Sequence, residues 1–132
     1  MNKLEIFKEL EKLDLPKDKY IVISGASLVC QDIIEEIDDI GLTCSKEVFD
    51  SINWPSRVEY NSLIKYKDIF DIDCDLYDEE KVIEINDYRF MNLEACYELK
   101  KVMNKPKDKK LIKDLELKVC LKDNYYFERK LR

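Results

Sequence analysis

Two groups of side chains in this sequence have types and spacings that suit phosphate or metal chemistry. The first is Gly25-Ala26-Ser27, which follows the apolar run Tyr20 to Ile23 and precedes residues of helical periodicity. A small-residue turn opening a helix leaves backbone N–H groups and the positive helix end facing outward, which suits a phosphate. The same residues also make an ordinary tight strand-to-helix turn. The second group is acidic. Asp39 begins an alternating segment in which residues 39 and 41 would share one strand face, about 6.6 Å apart. Two carboxylates there would clamp Mg²⁺, but position 41 is glycine. Downstream, Asp71, Asp73 and Asp75 alternate with Phe70, Ile72, Cys74 and Leu76. Three acids on one strand face repel one another unless solvated or neutralised by a cation. Either this is the solvent-facing side of an acidic strand, or Asp71 or Asp73 completes a metal site with Asp39.

Composition narrows the chemistry further. The 132 residues include no histidine, which removes Ser-His and Cys-His nucleophile systems and histidine-containing zinc sites. Catalysis would have to rest on carboxylates, lysines, hydroxyls or a hard metal. A net charge of −6 argues against generic binding to nucleic acid or an anionic membrane. The five cysteines are odd in number and lack a C-x-x-C pair, so they read as small buried hydrophobes in a reducing compartment. The charged start and the short apolar runs give neither a signal-peptide core nor a membrane span. The expectation is a cytoplasmic protein without membrane contact. With 45% apolar residues, only 2 Gly and only 3 Pro, the chain should fold as one domain over residues 1–132.

The elements that must position these groups follow from periodicity. Leu4, Phe7, Leu10 and Leu13 predict an amphipathic helix over 3–13, closed before Pro16. Tyr20 to Ile23 predicts a buried strand, and Val29, Ile33 and Ile37 predict a helix after the Gly25-Ala26-Ser27 turn. Ile40, Leu42 and Cys44 form the apolar side of the next strand, and Ser45 is the cap of a short helix ended by Trp54-Pro55. Residues 57–66 predict two short, irregular strands around Asn61-Ser62, followed by the strand over 69–77. Lys81 to Ile85 and Tyr88 to Met91 predict two strands joined by the turn Asn86-Asp87. Asn92 caps a helix to Asn104 with Ala95, Leu99 and Val102 inward. Pro106 breaks it, and helix resumes from Lys107 to about Lys122 around Leu111, Ile112, Leu115 and Val119. The last residues, 116–132, comprise this helical end and a tail. The fold class is α+β (α/β).

In order, Tyr20-Ile-Val-Ile-Ser-Gly-Ala-Ser27, a helix, Asp38-Asp39-Ile-Gly-Leu42 and Ser45-Lys-Glu-Val-Phe49 resemble the minimal nucleotidyltransferases of the DNA polymerase beta-like superfamily. Arg89-Phe-Met-Asn-Leu-Glu-Ala-Cys-Tyr-Glu-Leu-Lys100 and Asn104-Lys-Pro-Lys-Asp108 are similar to the C-terminal part of the same small bacterial proteins. The resemblance covers roughly residues 18–115. It implies a mixed sheet flanked by helices and metal-dependent transfer of a nucleotidyl group from a nucleoside triphosphate to an acceptor hydroxyl on RNA, a small molecule or a protein. It also implies Mg²⁺ or Mn²⁺ held by Asp39 and by Asp71 or Asp73 as catalytic carboxylates. Gly25 and Ser27 would touch the triphosphate, and Lys100 and Lys107 would contact phosphate or acceptor.

The departures bear on activity. Gly41 stands where the second carboxylate belongs, and Leu111 stands where the family usually has an aspartate. Losing one ligand of a two-metal site commonly removes several kcal/mol of transition-state stabilisation. The resemblance therefore implies either a weakened transferase or a catalytically inactive relative that binds a nucleotide, an RNA or a protein partner as a binding, antitoxin, antidefence or regulatory module. A third reading is an acidic interaction domain that shares the fold alone.

Overall fold

A computed structural model describes residues 1–52, the backbone of 58–60, residues 63–75 and residues 78–119. These fall into two compact units that divide between Asn92 and Leu93.

The first unit opens with helix α1 (Lys3–Lys12), whose Asn2 side chain accepts from the Glu5 amide while Glu5 reaches back to the Asn2 amide. This capping box fixes where the helix starts. Ile6 and Leu10, one helical turn apart, are its buried face. Strand β1 (Tyr20–Ile23) runs straight into helix α2 (Ser24–Cys30). The sequence periodicity predicts that this helix continues to Ile37, but it ends after Cys30. Asp32 adopts φ 65°, the Ile33 amide bonds the Leu28 carbonyl and the Asp32 amide bonds that of Val29. This is a Schellman stop with aspartate in the left-handed position usually given to glycine.

Strand β2 (Ile40–Cys44) follows, then helix α3 (Lys46–Ser51), capped by Ser45 as the sequence predicts. Strands β3 (Val58–Tyr60), β4 (Leu63–Tyr66) and β5 (Phe70–Asp73) form a meander. Strands β6 (Val82–Ile85) and β7 (Tyr88–Met91) form a hairpin. Asn86 and Asp87 both take positive φ at its turn, which matches the twist of a two-residue hairpin. The expected Asn61-Ser62 turn and Leu76 lie outside the described residues.

All seven strands join one mixed sheet in the order β3-β4-β5-β2-β1-β7-β6. β1 pairs antiparallel with β2 and parallel with β7, while β2 and β5 are parallel. The α+β class expected from the pattern is the class observed.

The two sheet faces differ in chemistry, and this difference positions the site. Val22, Ile40, Leu42, Ile64, Ile72 and Phe90 are fully buried on one face, in a core that includes Ile6 and Leu10 of α1 and Val29 of α2. Full burial of each such side chain stabilises by about 1.5–3 kcal/mol, so this face fixes strand register. The residues between them therefore project the other way. Around the β2–β5 seam they are Gly41 and Thr43 of β2, Lys65 of β4, and Asp71 and Asp73 of β5, with Ile21 and Ile23 of β1 beside them.

The second unit contains helix α4 (Leu93–Met103), the 3-10 turn Pro106–Asp108, and helical backbone over 109–119. Ala95, Cys96 and Leu115 are buried. Val102, expected inward, is 84% exposed. The buried pair Ala95 and Cys96 rotates the inner stripe of α4 away from it. Among the described residues no helix is long and apolar enough to cross a membrane.

Candidate functional site

The carboxylates singled out in the sequence do converge. Parallel pairing of β2 and β5 sets Gly41 opposite Asp71 and Thr43 opposite Asp73. Asp39 lies just before β2, two residues from Gly41. Antiparallel pairing of β4 with β5 sets Lys65 opposite Asp71. The Lys65 ammonium lies 3.0 Å from Asp71 Oδ1 and 3.5 Å from Asp39 Oδ1. It is thus a cation held between the two acids that the resemblance assigns to a metal. Hydrogen bonding to Asp71 is the main force raising the Lys65 pKa above its ordinary value; desolvation opposes it, and the charges of Asp71 and Asp39 add to the rise. The ammonium is protonated at neutral pH.

Asp73 has a different environment. Its Oδ1 is buried without a hydrogen-bond partner. Desolvation is the main force raising its pKa, and the nearby charge of Asp75 adds to it. Hydrogen bonds from Thr43 and from the Asp75 backbone oppose them. The Thr43 hydroxyl also accepts from the Asp75 amide at 3.2 Å, tying the end of β5 to β2. Beside this end lies a hollow of about 190 Å³ lined by Ile21, Thr43, Ser45, Asp75 and Arg89 among others. Arg89 is engaged there by Glu79 and by the Asp18 carbonyl.

These residues do not fit a two-metal centre. Oxygen ligands bind Mg²⁺ at about 2.0–2.1 Å, and the ammonium of Lys65 stands where Asp39 and Asp71 would have to close on an ion. Gly41 supplies no oxygen. Among the described residues no group of three or more His, Cys, Asp or Glu is arranged to hold a metal.

The turn residues are placed differently from a phosphate cradle. Ser24 is the left-handed residue at the strand-to-helix turn, with φ 55°. Gly25 is buried, and a Cβ there would come within 2.5 Å of the Ile37 side chain, so close packing accounts for the glycine. Ser27 is fully buried. Its hydroxyl donates to the Met91 carbonyl at 2.6 Å and accepts from Gln31 Nε2 at 2.9 Å, tying α2 to β7. Gln31 also donates to the Met91 carbonyl at 2.9 Å. Ser27→Ala is therefore expected to lower stability by about 1 kcal/mol, read as a small fall in Tm that added nucleotide leaves unchanged, since Gln31 still satisfies Met91. In the second unit, Lys100 pairs with Asp108 at 3.5 Å, and Lys107 is exposed.

Lys65 is the residue that sequence reasoning missed. Its signal was present in the hairpin: Ile64 and Tyr66 alternate with it and are buried, and Tyr66 pairs with Phe70, so the next rung sets Lys65 against Asp71.

Comparison of this chain with protein families, with curated proteins and with solved structures finds no match.

Proposed function

We propose that this protein is a nucleotidyltransferase-like module that binds a partner and does not transfer nucleotides. The observation that carries this reading is the Lys65 ammonium between Asp39 and Asp71, with Gly41 rather than a carboxylate as the strand neighbour of Asp71. A triphosphate brought to this face without a metal would meet Asp39, Asp71, Asp73 and Asp75, while among the described residues the Lys65 ammonium is already held by two of these acids and Arg89 by Glu79, and like charges repel. The hollow at the Thr43 end, about 190 Å³, is also smaller than the roughly 300–1,000 Å³ of ordinary small-molecule pockets. Both facts favour a macromolecular partner, most simply a protein, over a free nucleotide.

A second reading, metal-dependent nucleotidyl transfer with Mg²⁺ or Mn²⁺, is favoured by one observation. Asp39, Asp71 and Asp73 do share a sheet face, and Asp73 has the raised pKa common at functional carboxylates.

Incubation with labelled nucleoside triphosphates, Mg²⁺ or Mn²⁺ and RNA or protein acceptors separates the two. Incorporation is expected to equal that of an Asp39→Asn control. Incorporation that Asp39→Asn abolishes would overturn the proposal and establish the second reading.

A further inference from the structure

We infer that Lys65 is the resident counter-cation of Asp39 and Asp71, so that this face is built to work without a divalent ion. The register that buries Ile64, Ile72 and Leu42 on the core face leaves no freedom over which residues oppose one another on the other face. Lys65 is set across from Asp71 by the β4–β5 pairing, and its flexible stem brings the ammonium to Asp39 as well. A lysine is a compact point charge with three donors and no fixed fork, which suits two carboxylates on different elements. Because it is tethered, the ammonium is present at high effective concentration whatever the metal content of the solution. A free ion would have to displace it and would find no carboxylate at Gly41 to compensate.

The magnitudes indicate that Lys65 sets charge more than it sets stability. Its side chain is 41% exposed, and those of Asp39 and Asp71 are 45% and 31% exposed. Ion pairs as open as these contribute little to folding. Lys65 can therefore be replaced without loss of the fold, which makes the inference testable. Position 41 is also open to change. A Cβ there would lie 3.1 Å from Ile23 Cγ1, a contact that a small side-chain movement relieves. Aspartate at 41 would project beside Asp71, its strand neighbour.

The inference deepens the non-transferring reading and rests on it for its biological meaning, but its test uses no nucleotide. Mn²⁺ alone is titrated into the full chain and into its variants, with bound ion read by electron paramagnetic resonance and folding checked by circular dichroism. Wild type is expected to remain unsaturated at about 1 mM Mn²⁺, and Lys65→Met to bind one ion at least about fivefold more tightly. Lys65→Gln serves the same purpose should methionine disturb the fold. Gly41→Asp combined with Lys65→Met is expected to tighten binding by about a further tenfold, whereas Gly41→Asp alone gains far less because the ammonium still holds Asp39 and Asp71. Equal Mn²⁺ affinity of wild type and both Lys65 variants, whether measurable or absent, would overturn the inference. That outcome leaves the transfer assay to judge the proposed function separately.

Discussion

Lys100→Met is expected to destabilise the protein by about 3 kcal/mol, the lower end of the cost of breaking a buried ion pair. Lys100 and Asp108 approach to 3.5 Å with side chains only 12% and 10% exposed, and Asp108 Oδ2 has no hydrogen bond. The ammonium is thus the principal compensation for a carboxylate that water barely reaches. Removing it strands the charge, and the resulting fall in Tm should be about 10–15 °C, followed by circular dichroism. Removing both charges should cost much less, because a buried pair replaced by apolar groups of similar volume is often near neutral. Lys100→Met with Asp108→Leu is therefore expected to recover most of the lost Tm, and the coupling in this double-mutant cycle measures the pair. If the double variant is as unstable as the sum of the two single variants, the pair is not the source of the effect. This assignment makes Lys100 a structural residue of the second unit.

Local pattern was enough for much of this fold. The apolar run placed Tyr20 to Ile23 in a strand and alternation placed strands at 39–44 and 69–77, the latter observed over Phe70–Asp73 among the described residues, while Ser45 and Asn86-Asp87 named their own cap and turn. What local pattern could not supply was any property set by a distant partner. The early stop of α2 depends on Asp32 accepting a left-handed conformation, with Lys3, 29 positions away in sequence, at 3.3 Å from its carboxylate. Ile33 continues the helical period, and nothing in the period itself marks the break. The site divides in the same way. That Asp39, Asp71 and Asp73 could share a face was readable from strand period 2. That a lysine would sit between two of them required the order β4-β5-β2, a property of the whole sheet. Ser27 shows the converse error. Its motif context suggested an outward phosphate contact, while its hydroxyl reaches Met91, 64 positions along the chain.

Asp73→Asn is expected to raise stability, by about 1–2 kcal/mol at neutral pH, the scale of one unsatisfied buried polar group. The sign follows from linkage. Burial raises the Asp73 pKa above 3.8, so in the window from 3.8 up to that raised pKa the folded state binds more protons than the unfolded chain. Stability then falls as pH rises through that window, and above it the full cost of the ionised carboxylate remains. The orphan Oδ1 and the charge of Asp75 point the same way. An asparagine keeps a hydrogen-bonding group near Thr43 and removes the charge, so the variant's thermal stability should exceed wild type at neutral pH, with the difference shrinking in acid below the window. A Tm that drops on substitution, or a gain independent of pH, would show that Asp73 is well solvated or usefully paired. A half-buried carboxylate with a raised pKa and no counter-cation is the kind of group that functional sites use. Lys65 offsets Asp39 and Asp71, while among the described groups none offsets Asp73 in the same way. The residue to vary first in testing the proposed partner binding is therefore Asp73, and variants that are more stable than wild type yet lose such a partner would place the proposed binding face at the β2–β5 seam.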